Sequence, residues 1–104
     1  MTYNGYTNYQ TWCVNLWLNN EEDTYRYWVA ETVDVWKHAK PDDVLTRLGV
    51  ANRELASRLR DVVESGNPLQ ANPSMYSDIL TSALQEVNWQ EIASAMLEEY
   101  TENN

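Results

Sequence analysis

Apolar residues recur along this chain with a spacing near 3.6, which predicts helices throughout and no strand. Tyr9, Trp12, Cys13, Leu16 and Trp17 form a first stripe, with Val14 and Leu18 making the other side apolar too. Tyr25, Trp28, Val29, Thr32, Val33 and Trp36 form a second; Val44, Leu45, Leu48, Leu55, Leu59 and Val62 a third. Tyr76, Ile79, Leu80, Ala83, Leu84 and Val87 mark a fourth, and Trp89, Ile92, Ala93, Met96, Leu97 and Tyr100 a fifth. From these, Trp12, Leu16, Trp28, Val33, Leu59, Leu80, Leu84 and Ile92 are expected in the core.

Capping signals bound the helices. Thr7 and Gln10 have the spacing of a capping box, and Asn20 precedes the acids Glu21, Glu22 and Asp23, which favour a helix start through the dipole. The second helix should end near Lys40, where Lys37, His38 and Lys40 precede Pro41. Pro41-Asp42-Asp43 predicts the start of a third. Gly49 either breaks that helix or is tolerated at about 1 kcal/mol, so Asp42 to Glu64 holds one helix or two. The segment 65–73 concentrates Gly, Asn and Pro and reads as the main loop. Ser74 caps the fourth helix, and Asn88 with Glu91 resembles another capping box. The expected fold is an all-α, compact single-domain bundle of five or six helices over residues 1–104.

A chain of 104 residues has room for one core. Its single cysteine, Cys13, excludes an internal disulfide, and with one histidine a four-ligand Cys/His zinc site cannot be assembled. A reducing, cytoplasmic location is expected, since no secretory signal or uninterrupted apolar span stands out.

The net charge is −9 and its distribution is uneven. Residues 1–25 carry three acids and no base, residues 26–60 seven bases and five acids, and residues 61–104 eight acids and no base. The last block should repel phosphates and acidic membranes, which argues against direct binding of nucleic acid or a membrane. Its carboxylates Glu86, Glu91, Glu98, Glu99 and Glu102, with Glu64 and Asp78 as outlying members, are the candidate surface for a basic protein partner. On the last helix Glu91, Glu98 and Glu102 share one side, which is expected to face water.

Catalytic chemistry finds little footing. Cys13 lies on an apolar stripe and His38 at a helix end, where a cation is favoured by the dipole. The pairs Glu21/Glu22, Asp42/Asp43 and Glu98/Glu99 point about 100° apart on a helix and read as helix starts or solvated faces. Gly-rich phosphate loops, metalloprotease motifs and nucleophile elbows are missing from the sequence, so no enzyme activity, cofactor or metal is expected. Seven tyrosines, five tryptophans and no phenylalanine give aromatic rings with polar tips, suited to a core with wet margins or to an interface. Trp12, Trp17, Trp28 and Trp36 are assigned to the core. Tyr3, Tyr6, Glu21, Glu22 and Asp23 form the alternative contact surface.

The segment Tyr6-Thr7-Asn8-Tyr9-Gln10-Thr11-Trp12, continuing to Asn20, resembles the opening of small, mostly uncharacterised proteins encoded by bacteria, phages and plasmids. These typically begin with an Asn-Tyr-Glu-Thr-Trp motif, and this chain has Gln10 at the glutamate position. Asn88-Trp89-Gln90-Glu91-Ile92-Ala93 is similar to the motif near their C-terminus. The resemblance implies no settled activity or catalytic residue. It implies a context: mobile elements encode short acidic proteins that counter host defence. Two functions are therefore expected to compete. One is an inhibitor that blocks a basic nucleic-acid-binding surface on a bacterial defence nucleoprotein such as a CRISPR effector. The other is a protein–protein interaction or assembly module, with a homodimer among its forms, that uses a Tyr/Trp-rich surface.

Overall fold

In a computed structural model, which describes residues 2–102, the chain is all-helical. Five helices follow in order among the described residues: α1 Tyr9–Asn20, α2 Glu22–His38, α3 Arg47–Ser65, α4 Met75–Gln85 and α5 Trp89–Glu102. Strand structure among these residues is limited to one bridge between Tyr3 and Tyr6, closed by reciprocal backbone bonds of 2.7 and 2.8 Å. Its tight turn uses Asn4 at φ 48° and Gly5 at φ 89°, the left-handed conformations that these two residue types adopt at least cost.

α3 and α5 form the most extensive interface and carry the centre of the core. Ala51, Leu55 and Leu59 on α3 meet Ile92, Ala93 and Leu97 on α5, all six without exposed surface. The two alanines let the helix axes approach closely while the leucines and isoleucine fill the space around them. α2 closes one side through Trp28 and Val35, and α1 contributes Leu18.

Polar contacts fix α2 on α3. Arg58 reaches Asp34 at 3.0 Å, Glu54 at 3.1 Å and Glu31 at 3.6 Å. The Asp34 hydrogen bond is the main cause holding its guanidinium pKa above the ordinary value. At the other end Arg47 lies over the Trp36 ring at 3.9 Å and donates to the Trp36 carbonyl at 2.7 Å.

Several sequence expectations are corrected. Of the expected core, Trp28, Leu59 and Ile92 are buried, while Trp12, Leu16, Val33, Leu80 and Leu84 are half-buried. Trp17 is 63% exposed, because α1 has α2 and α5 as its main neighbours and they leave that side open. Trp36 is half-buried, its ring covered by Arg47.

Pro41-Asp42-Asp43 opens no helix. Asp42 accepts from the backbone N–H of Val44 at 2.8 Å and of Leu45 at 2.6 Å, diverting those donors into a turn. α3 begins four residues after Asp43, behind the N-cap Thr46, whose hydroxyl accepts from Gly49 N–H at 3.1 Å. Gly49 thus lies in the first turn of one continuous helix. Val44 and Leu48, placed inward by their spacing, are exposed. Asn20 ends α1 instead of capping α2, whose N-cap Glu21 makes no side-chain cap bond. Ser74 caps α4 as expected, in a reciprocal box with Ser77.

Candidate functional site

The starts of α1 and α5 meet in space. The N-cap of α1 is Asn8, one residue after the expected Thr7, and its Oδ1 accepts from the N–H and the hydroxyl of Thr11 at 2.9 and 2.6 Å. Its Nδ2 donates to the Glu86 carbonyl at 2.7 Å. Thr11, fully buried, accepts from Asn88 N–H at 2.9 Å, and Asn88 Oδ1 in turn accepts from Glu91 N–H at 3.2 Å. Glu91 then accepts the Thr7 N–H at 3.0 Å, and Asn88 Nδ2 reaches the Thr7 hydroxyl at 3.4 Å. Each helix start thereby satisfies orphan backbone donors of the other, a tertiary form of the capping box.

This clasp removes Glu91 from the expected water-facing acidic side. Glu91 is half-buried and committed to Thr7, because an N–H freed at the chain's entry into α1 needs an acceptor. Glu64 is also committed, at 2.9 Å from Arg60, so a base does offset it. Glu98 and Glu99 are both exposed but border different recesses. Glu98 lies beside Leu48, Asn52 and Ser94, whereas Glu99 lies beside Asn19, Tyr25 and Val29. The predicted set is therefore not one continuous face. Asp78, Glu86, Glu98, Glu99 and Glu102 remain exposed and enter no ion pair among the described residues.

The alternative surface divides as well. Tyr6 is half-buried with its hydroxyl accepting from Asn15 Nδ2 at 2.8 Å, so it serves the fold. Tyr3 is 41% exposed and packs edge-on against Tyr9, with ring centroids 5.3 Å apart, and against Trp12 at 5.1 Å. Glu21, Glu22 and Asp23 are exposed, with Glu22 paired to Arg26. Cys13 is a free, half-buried thiol beside Tyr9, and its hydrogen bond to that phenol is the main cause raising the Tyr9 pKa. His38 Nδ1 lies 2.8 Å from the Asp34 carbonyl and 3.4 Å from its carboxylate, in the last turn of α2. No group of three or more metal-ligating side chains converges among the described residues, and no helix is long and apolar enough to cross a membrane.

The sequence spacing missed one exposed set. On α4, Tyr76 and Ile79 were expected inward, yet they are 68% and 60% exposed, as is Met75 at 65%. The only buried residue of that helix is Ser77. The apolar positions of α4 span roughly half the helix circumference, wider than the ~100° that one packed neighbour covers. α4 has no extensive contact with another helix, so the outer part of that arc stays in solvent. A wide groove between α2 and α3, bounded by Leu18, Tyr27, Trp28, Val62 and Val63, is likewise apolar.

The fold and surface define a small helical protein of net charge −9 that exposes unpaired carboxylates and an apolar stripe on α4. The chain belongs to a family of unknown function, DUF7249, whose model matches residues 1–103. No curated protein and no solved structure matches it.

Proposed function

We propose that this protein is a binding protein, not an enzyme. Its partner presents a basic, nucleic-acid-binding surface, and the protein acts as a mobile-element inhibitor of a bacterial defence nucleoprotein such as a CRISPR effector. One observation carries the reading: beyond Arg60 there is no base, and of the carboxylates there Asp61, Asp78, Glu86, Glu98, Glu99 and Glu102 stand exposed without an ion pair among the described residues. Unpaired carboxylates raise the negative potential over α4 and α5 and steer a Lys/Arg-lined channel toward the molecule. Occupation of that channel excludes a phosphate backbone, which competes for the same cations.

The test is a pull-down from bacterial lysate at low and high salt, followed by association rates of the recovered partner with wild type and with Glu98→Lys/Glu102→Lys. The reading requires a nucleic-acid-binding protein that is lost at high salt and that associates more slowly with the variant at low salt. A salt-resistant association of the chain with itself, or equal rates at low salt, would reject it in favour of an assembly module.

A further inference from the structure

α4 carries an apolar stripe that the other described residues leave uncovered. Met75 and Ile79 lie one turn apart on its outer side, Tyr76 flanks them, and Ser82 and Glu86 continue the line. Asp78 borders the stripe on the other flank and is the only charged residue of the helix. Asp78 and Glu86 are both exposed, and neither has a cation partner among the described residues. The patch is thus an apolar centre with acidic margins. Methionine and tyrosine at the centre with charge at the rim is the composition of a protein interface, and anchors at i and i+4 suit a helix lying in a groove.

We infer that α4 is the anchoring helix of this protein, inserting Met75, Tyr76 and Ile79 into an apolar groove of its partner while Asp78 and Glu86 meet Lys or Arg side chains on the groove's edge. The inference rests on the reading of a basic partner and names the contact by which that partner is held. Charge complementarity selects the occupant. The three side chains offer on the order of 400 Å², about half of what one partner buries in a standard interface. The remainder must come from the polar rim. A basic groove edge supplies that remainder, whereas a second copy placed symmetrically on this face sets Asp78 and Glu86 against their own like, in a chain of net charge −9.

The probe is a synthetic amphipathic helical peptide with leucines along one face and lysines on both edges, titrated into the full chain and followed by backbone amide shifts. Met75→Gln/Ile79→Gln is the test variant, since glutamine keeps helix propensity and neither side chain is buried. Shifts centred on α4, with affinity at least tenfold weaker for the variant and an unchanged melting temperature, support the inference. Equal affinity for wild type and variant, or shifts centred elsewhere, overturn it. A lysine peptide with serines replacing its leucines separates the two readings: if it binds as tightly as the complete probe, the anchor is lost but the basic partner stands. If a leucine peptide with glutamate edges binds as tightly, the basic partner is lost instead. A concentration-dependent dimer of wild type that the variant dissolves also overturns the inference and assigns the stripe to self-association.

Discussion

The backbone N–H of Thr7 and the carboxylate of Glu91 lie 3.0 Å apart, joined across 84 positions of sequence. The bond is charge-assisted, and removal of the acceptor leaves the Thr7 donor to water at the entry to α1. Glu91→Ala is expected to cost about 1 kcal/mol, against less than about 0.5 kcal/mol for Glu102→Ala, which touches no cap. Thermal unfolding of the two variants decides it, and equal melting temperatures would remove Glu91 from the clasp.

Thr11 presents a buried hydroxyl that donates to Asn8 and accepts from Asn88. Thr11→Val keeps the shape and removes both bonds, leaving the Asn88 N–H without its acceptor. A cost of about 1–3 kcal/mol is expected. The midpoint of urea unfolding should fall without a change in slope, and an unchanged midpoint would show that water replaces the hydroxyl.

Gly49 lies in the first turn of α3, and a Cβ built there meets Leu45 at 3.4 Å and the Thr46 hydroxyl at 3.5 Å, ordinary contact distances. Alanine therefore gains helix propensity without a clash. Gly49→Ala is expected to stabilise the fold by about 0.5–1 kcal/mol. A lower melting temperature would mean that Leu45 cannot accommodate the methyl group.

Backbone donation from Leu45, and then Val44, holds the Asp42 carboxyl below its ordinary value of 3.8. A depressed folded-state pKa stabilises the fold above the unfolded value and loses that contribution as pH falls through the folded one. Asp42→Asn keeps an acceptor for the turn but does not titrate. The stability advantage of wild type over this variant should therefore be present at pH 5 and shrink below about pH 4. A difference constant from about pH 5 to 2 would count against the ionised turn.

What was legible in the sequence was local. Ser74 is legible as a cap from its residue type just before an apolar period, and its partner Ser77 lies only three residues away. Thr7 was read as a cap by the same local spacing, but Asn8 holds the position, since its carboxamide satisfies Thr11 and the distant Glu86 carbonyl at once. Asp42 carried the signature of a helix start and formed a turn, because a short carboxylate competes for the same N–H groups that a helix would use. Ile79 and Tyr76 show the limit of periodicity. It identifies an apolar face and not what covers it. The acidic candidates depended on tertiary structure in the same way. Adjacent carboxylates Glu98 and Glu99 border different recesses, and Glu91 is drawn into a cap that only the meeting of α1 and α5 creates.

The clasp sets the order in which this protein becomes itself on the ribosome. α1 is translated before the groups that complete its start: the Glu86 carbonyl, the Asn88 N–H and the Glu91 carboxylate follow some eighty positions later. An isolated helix of 12 residues is marginal in water, so α1 waits as a fluctuating segment while α2 and α3 are made. Release of residues 86–91 lets the early segment dock, so closure of the clasp follows the synthesis of α2, α3 and α4.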